Sequence, residues 1–384
     1  MKKIIVILLS TLLLTGCYDY KELNTIAIVS ATSIDYINDE YIINAQVINP
    51  QAPDKTVVIG SPFIIYEGKG KTIQEAYRKV TASSSRFLYQ NHLQLLLITD
   101  KIKDNKLKEL IDFFARNPSV RTEFYVMLYK GDNPIDIITP INEISAMSII
   151  ETSETNIKFL GETLEVTFND LINSYLNPNK EIIIPTIKQI GKSKDEDKTE
   201  NTEQSKIKTN YEIKGLAIYK DNKVAGFLNE EETLAYNYIS NNITNTIYTY
   251  ECEKEKYITI EITKSKAETK IKNENVNINI KIKGNINENN CNIEMTNNKE
   301  IKNLEKNISK DINNFIKKNI NNIIKEYNSD IFGFKDIVYK NDYNYYKKII
   351  NNKEWLKNIN ININTDTTIL AEGSIFGGLN EKNK

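Results

Sequence analysis

The residues best placed to do chemistry in this chain lie at its start. Cys17 follows Leu14-Thr15-Gly16, and before them come Lys2, Lys3 and eleven uncharged residues from Ile4 to Leu14. A thiol directly after Leu-Thr-Gly matches the lipobox, in which the sulfur takes a diacylglycerol group before a signal peptidase cuts on its N-terminal side. Cleavage is expected after Gly16, making Cys17 the lipidated first residue of the mature chain. Spanning a bilayer core takes about 20 apolar residues. The run here is shorter, with the basic start and small-residue end of an export signal. Two or more acyl chains hold a protein on a membrane stably, where one does not. An ordinary cleaved signal with an incidental cysteine is the competing reading.

Other constellations dissolve on inspection. Gly70-Lys71-Thr72 looks like the end of a phosphate-binding loop, but the glycine that such a loop needs five positions earlier is Ile65, and Thr72 serves better as a helix cap. His92 is the single histidine; alone it builds no multi-histidine metal site, and no GxSxG or triad context surrounds it. Asp195, Glu196 and Asp197 sit in a polar run among lysines and read as a solvated charge cluster, as do Asp39-Glu40. Glu230-Glu231-Glu232 read as the start of a helix, whose positive end they favour. The expectation is therefore no catalytic, cofactor-binding or metal-ligating residue and no cofactor.

Composition narrows the partners. Lys and Arg total 50 against 51 Asp and Glu, so no basic excess argues for nucleic acid. No later apolar segment is long enough to span a membrane, so everything after Cys17 is expected outside the cytoplasmic membrane, tethered by its first residue. Cys252 and Cys291 make no disulfide framework and no CxxC; one bridge and two free buried thiols are equally compatible with them. The 22 tyrosines accompany an abundance of Ile, Asn and Lys typical of AT-rich coding, and are read as core and interface residues, not as a carbohydrate surface.

The elements that must position any site follow from periodicity. Ile26, Ile28, Ile34 and then Tyr41 to Ile48, across a turn at Asn38-Asp39-Glu40, predict an opening hairpin. Thr72 with Glu75 three residues on predicts a capped helix with Ile73, Ala76, Tyr77 and Val80 on one face. Leu93 to Thr99 reads as a strand buried on both faces, Leu107 to Phe114 as a helix ending before Asn117-Pro118, and Phe124 to Tyr129 as a strand. Helices are expected near Ile141 to Ile150 and Leu164 to Tyr175. Gly191 to Lys206 contains no apolar residue, being built from Gly, Lys, Ser, Asp, Glu, Thr, Asn and Gln, and is either a linker or a long hairpin loop between Ile182-Ile183-Ile184 and Tyr211 to Tyr219.

The C-terminal half alternates cleanly at Ile258-Ile260-Ile262, Val276 to Ile282 and Ile359-Ile361-Ile363. A helix from Lys299 to Tyr327, about 40 Å long, carries a matching apolar stripe and is expected to lie across an antiparallel sheet. Its spacing drifts from a strict heptad, which argues against a coiled coil. The fold class is α+β and multidomain, with mixed and antiparallel sheets each covered by helices. The expected boundaries are a signal peptide at 1–16, an N-terminal α/β region at 17–190 divisible into two subdomains, the polar segment at 191–206, a C-terminal α+β domain at 207–376 and a tail at 377–384.

Read together, Leu14-Thr15-Gly16-Cys17-Tyr18-Asp19-Tyr20-Lys21-Glu22-Leu23-Asn24 and Ile34-Asp35 resemble the start of the Ger(x)C lipoproteins, the C subunits of spore germinant receptors. The resemblance continues through His92, Asp112-Phe113-Phe114-Ala115-Arg116-Asn117-Pro118 with Arg121, Pro185, Lys214 to Lys220, Lys223 to Leu228 and Glu232. It ends on Asp330-Ile331-Phe332-Gly333-Phe334, Trp355 and Glu372-Gly373. One departure is Tyr18, where the family usually has Trp; the aromatic character is kept. The asparagine-rich C-terminal half matches more by pattern than by identity.

The resemblance implies a non-enzymatic, lipid-anchored subunit on the outer face of the spore inner membrane, working with two integral membrane subunits, A and B, in a receptor for small nutrients that triggers germination. It also implies a three-domain α+β architecture, and leaves open whether this subunit touches the germinant. The alternative is a lipid-anchored extracytoplasmic solute-binding protein. Arg116, Arg121 and Trp355 stand out as candidate functional marks, with a structural role the commoner fate of such side chains.

Overall fold

The structure is a computed structural model that describes residues 25–48, 63–84, 86–131, 134, 138, 145–191, 210–291, 293 and 297–372. The chain opens with β1 (Ile26–Ile37) and β2 (Glu40–Ile48), joined by the expected hairpin. Asn38 and Asp39 both take positive φ, 51° and 59°, as a two-residue hairpin turn requires. After β3 (Phe63–Gly70), helix α1 (Ile73–Thr81) starts where Thr72 accepts a hydrogen bond from the Glu75 amide at 3.1 Å. The Glu75 carboxylate accepts from the Lys71 amide at 2.8 Å instead of from Thr72, so the expected capping box closes one residue early.

The chain continues through β4 (Phe87–Tyr89), β5 (Leu95–Ile98), α2 (Asn105–Arg116), β6 (Tyr125–Tyr129), α3 (Ser145–Phe159), α4 (Phe168–Leu176) and β7 (Ile182–Ile190). Then come β8 (Asn210–Lys220) and β9 (Lys223–Leu228). Together the nine strands form one mixed sheet in the order β3-β2-β1-β5-β6-β7-β8-β9, with β4 beside β1. β1, β5, β6 and β7 run parallel. One core under α1, α2 and α4 includes Val80, Leu96, Leu110, Phe114 and Phe168, while Ala31, Leu95, Leu97 and Met127 face α3 on the other side. A strand buried on both faces has no polar side to alternate with, which is why Leu95 to Ile98 is continuously apolar.

Two helices depart from expectation. α3 continues nine residues past Ile150, and residues 141–144 lie outside the described ones. α4 begins at Phe168, not Leu164, because Thr167 and Asp170 form a reciprocal capping box there. Leu164 to Val166 stay outside the helix, and the Val166 carbonyl accepts from the Val126 amide at 2.9 Å.

The polar run at 191–206 lies, apart from Gly191, outside the described residues, but its flanks are neighbours: β7 and β8 pair antiparallel from Ile182↔Tyr219 to Ile190↔Asn210. β8 and β9 therefore belong to the first sheet. Gly226 on β9 has no room for a side chain, because a Cβ there would lie 2.1 Å from the ring of Tyr327.

α5 (Glu230–Ile239) starts at the acidic triplet as expected, with Asn229 and Glu232 exchanging cap hydrogen bonds. The second sheet follows as β10 (Thr246–Glu253), β11 (Lys256–Lys272), β12 (Asn275–Asn289) and β13 (Asn360–Glu372), in that order. Between the last two come α6 (Asn298–Tyr327), α7 (Phe334–Asn341), α8 (Tyr343–Ile349) and a 3-10 turn, Trp355–Asn358. Here the expectation of an antiparallel sheet is corrected: β12 and β13 pair in parallel, Val276 opposite Ile361 and Ile278 opposite Ile363. The reason is the helical crossover itself, since a chain that returns through a helix re-enters the sheet in the same direction.

Leu304, Ile308, Ile312, Ile316 and Ile320 of α6 are buried on the alternating isoleucines of the sheet. The helix also blunts the sheet's edge. Ser309 Oγ accepts from the Thr367 amide at 3.0 Å and Glu305 Oε1 from the Ile369 amide at 2.9 Å, satisfying β13 donors on the side away from β12. Cys252 and Cys291, left open by sequence, are joined in a disulfide with Cα atoms 6.5 Å apart. A further apolar cluster, with Ile183, Leu216 and Ile218 from the first sheet against Tyr236, Ile323 and Ile331, welds the two sheets' cores.

Candidate functional site: a groove between two helices

α1 and α2 pack on the same face of the first sheet and leave an open groove of about 1010 Å³, lined also by the 87–91 and 117–119 segments. The close approach of α1 depends on two glycines. A Cβ on Gly68 would lie 2.2 Å from the Ala76 carbonyl oxygen, and one on Gly70 would lie 2.6 Å from the Ala76 nitrogen. Gly70 is thus a packing residue and Thr72 a helix cap, which accounts for Gly70-Lys71-Thr72 without a phosphate.

The wall of the groove is aromatic. Tyr77 and Phe113 stack with ring centroids 5.6 Å apart, and the Tyr77 hydroxyl donates to Thr32 Oγ1 at 3.0 Å in the core, where burial pushes its pKa up. Several of the polar groups pair with one another. Tyr41 donates to Glu109 Oε2 at 2.5 Å, and burial followed by the Glu109 carboxylate raises the Tyr41 pKa well above the usual phenol range. Lys106 pairs with Glu109 at 3.1 Å and lies 4.5 Å above the Tyr36 ring. Arg116 pairs with Asp112 at 2.7 Å, and Asn117 donates to Gln90 Oε1 at 3.0 Å. Such a groove suits a ligand or chain segment with an apolar body and a few polar contacts.

The sequence-predicted residues scatter. Cys17, Gly16 and Tyr18 lie outside the described residues, as do Asp195, Glu196 and Asp197. His92 is exposed, its ring 5.9 Å from that of Tyr89. Arg116 lines the groove on its exposed ion pair, while Arg121 is exposed just before β6. Trp355 is buried in the second core and donates from Nε1 to the Tyr345 hydroxyl at 3.0 Å, which makes it structural. Among the described residues no cluster of three His, Cys, Asp or Glu side chains is placed to hold a metal ion. No described helix is long and apolar enough to cross a membrane.

Sequence reasoning missed two sites of buried charge and the Tyr41–Glu109 pair. Asp35, from the Ile34-Asp35 step, is buried in the first sheet and receives Thr99 Oγ1 at 2.5 Å, the Tyr36 amide at 2.8 Å and Lys101 Nζ at 3.1 Å. Asp330 opens the Asp-Ile-Phe-Gly-Phe motif and accepts from the amides of Phe334 at 2.9 Å and Lys335 at 2.8 Å. The signal for both was an acidic residue adjoining an apolar run, which by itself does not reveal burial.

Fold and groove define a two-sheet α+β protein whose sheets share a packed junction and whose first sheet carries an open cleft. The chain matches the Spore germination protein N-terminal domain over residues 19–189 and the Spore germination B3/GerAC-like C-terminal domain over residues 214–373, and it belongs to that family. Among relatives, it is 29% identical to spore germination protein KC of Bacillus subtilis (strain 168) over 253 residues, 63% of this chain and 62% of that protein. It is 25% identical to spore germination protein B3 of the same organism over 240 residues, 60% of this chain and 59% of that one. The matched region thus spans about three fifths of these relatives' length. The crystal structure of the GerBC protein superposes with a TM-score of 0.55 at 21% identity, covering 92% of this chain and 100% of that one, a shared fold. Both the resemblance read from the sequence and the α+β multidomain class are borne out.

Proposed function

We propose that this chain is a lipid-anchored, non-catalytic subunit of a nutrient germinant receptor, held by Cys17 on the outer face of the spore inner membrane and assembling there with integral membrane A and B subunits. The observation that carries the reading is the match to both family domains, in order, from residue 19 to residue 373, directly after the lipobox.

Cys17→Ala in the producing organism tests it. Membrane association and nutrient-triggered germination are both expected to be lost, while germination triggered by a calcium chelate, which bypasses nutrient sensing, stays intact. Loss of anchoring with normal nutrient germination removes the receptor role and leaves the lipoprotein.

The groove favours a second reading, direct solute binding by this subunit. Thermal unfolding of the purified chain with single amino acids and sugars separates the two. A ligand at about 100 times its Kd adds about 2.7 kcal/mol to the folded state and raises Tm, whereas a pure scaffold shows no shift.

A further inference from the structure

The ends of the first sheet are not alike. Because β1, β5, β6 and β7 are parallel, the segments entering them emerge at one end, and so does β4, whose Phe87 pairs with Ile26 in parallel register. Ile26 follows Cys17 by nine residues, a tether that reaches at most about 30 Å when fully extended. This end therefore stays close to whatever holds Cys17.

The same end collects cationic side chains. The chain has four arginines, Arg78, Arg86, Arg116 and Arg121, and the last three lie at the entries to β4 and β6 and at the C-terminus of α2 that leads into β6. α7 and α8 dock at the entrance to β7: the Tyr346 hydroxyl donates to Asn179 Oδ1 at 2.6 Å, and the Glu181 amide donates to the Asp330 carbonyl at 3.1 Å. Asn179 and Glu181 lead into β7. Counting through the registers Ala31↔Leu95, Leu95↔Tyr125 and Leu128↔Thr186 sets Asn179 level with Ala27, three strand spacings away, or about 14 Å.

Residues 334–357 carry six lysines against three acidic residues, in a chain whose totals are 50 basic and 51 acidic. Asp336 pairs with Lys340 and Glu354 with Lys357, Asp342 caps α8, and Glu123 remains exposed beside Arg121. Lys348, Lys353 and Arg121 make no ion pair among the described residues, and Lys347 lies 4.6 Å above the exposed ring of Tyr343. Large apolar side chains stand out among these cations: Leu176 is 71% exposed, Phe87 55%, Tyr343 54% and Ile350 43%. Aromatic and aliphatic side chains interleaved with long cationic ones are the composition of a protein surface that sits at a bilayer interface.

We propose that this end of the first sheet, together with α7 and α8, is a second contact with the membrane, seated on anionic phospholipid headgroups. It builds on the lipoprotein reading above, because the tether brings this end to the lipid. The acyl chains hold the protein, and the basic, aromatic end orients it, so that the rest of the body faces away from the bilayer at a set angle.

Lysine acetylation read by mass spectrometry tests this on the chain isolated from its producing cells and placed on two kinds of vesicle. One is phosphatidylcholine alone; the other contains roughly one third phosphatidylglycerol, which gives the surface its negative potential. Lys340, Lys347 and Lys348 are expected to react several times more slowly on the anionic vesicles, while Lys281 and Lys283, on the wet face of the second sheet, react equally on both. The protection is expected to vanish at about 1 M salt, where screening shortens to about 3 Å. The same spectra report the mass of the N-terminal peptide. An acylated Cys17 with equal lysine rates on both vesicles overturns the lipid contact and keeps the lipoprotein reading. Protection without acylation keeps the contact and removes the tether, and neither signal removes both.

Discussion

Trp355→Ala is expected to destabilise the second sheet and its helices by about 3–5 kcal/mol, the range for deleting a large aromatic from a packed core. Trp355 is 2% exposed and shares its apolar cluster with Phe334, Val338, Tyr346, Ile349 and Leu356. It sits in the 3-10 turn that hands the chain from α8 to β13, so a cavity there loosens both the helical pair and the strand that closes the sheet. Trp355→Phe keeps most of the apolar area and gives up the 3.0 Å bond to the Tyr345 hydroxyl, a loss of about 1 kcal/mol plus that of a smaller ring. As Trp355 is the single tryptophan, its fluorescence disappears in both variants, and urea midpoints are best followed by circular dichroism. A midpoint for Trp355→Ala equal to that of the parent chain would refute a structural role and return Trp355 to the candidate functional marks.

The second large effect is a pH dependence centred on Asp330. Burial raises its pKa from 3.8 to about 6, partly offset by the amides of Lys335 and Phe334 and by the Lys335 charge. Folded chains therefore hold this proton between about pH 6 and pH 3.8, while unfolded chains release it. Where the folded state binds more protons, stability falls as pH rises. The contribution is complete below the unfolded value and is lost as pH rises through about 6. At about 1.4 kcal/mol per pH unit, the whole effect is about 3 kcal/mol.

Glu181, whose amide donates to the Asp330 carbonyl, is raised too, by burial first and then by Asp221, and acts in the same sense. Asp330→Asn is expected to flatten the stability profile between about pH 4 and pH 7 while leaving the smaller slope of Glu181. It also weakens the start of α7, since an amide oxygen accepts one of the two backbone bonds that the carboxylate accepts. Parallel unfolding curves for the two chains across that range would exclude the mechanism. The junction between the sheets runs through these residues, so an acidic medium tightens it and a neutral one relaxes it.

Much of the fold was legible one residue at a time. The alternation of Val276, Ile278, Ile280 and Ile282 is a local property of a strand with one wet face, and the structure buries those four and exposes the residues between them. Thr72 and the acidic triplet at 230–232 start helices because a cap is made with amides only two or three residues away. The stripe of α6 repeats every three to four residues, and Leu304, Ile308, Ile312 and Ile316 went into the core for that reason. The lipobox and the family motifs were likewise contiguous, so recognition needed no structure.

Everything that depended on a partner distant in sequence was decided by tertiary structure. Alternation says that a strand has two faces but not which neighbour it takes, so the parallel pairing of β12 with β13 and the place of β8 and β9 in the first sheet were decided only by the packed sheets. Tyr41 and Glu109 are 68 positions apart, and nothing local ties a strand tyrosine to a helix carboxylate. Asp330 reads only as an acidic residue adjoining an apolar run; its burial, and with it its raised pKa, comes with packing in which its carbonyl accepts from the Glu181 amide at the edge of the first sheet. The basic, aromatic end is assembled from segments spread between residues 86 and 353, which are neighbours only because four parallel strands bring their entrances to the same edge. Sequence determines periodicity and caps because those are set by neighbours along the chain; pairing, burial and the shared end of a sheet are set by neighbours in space.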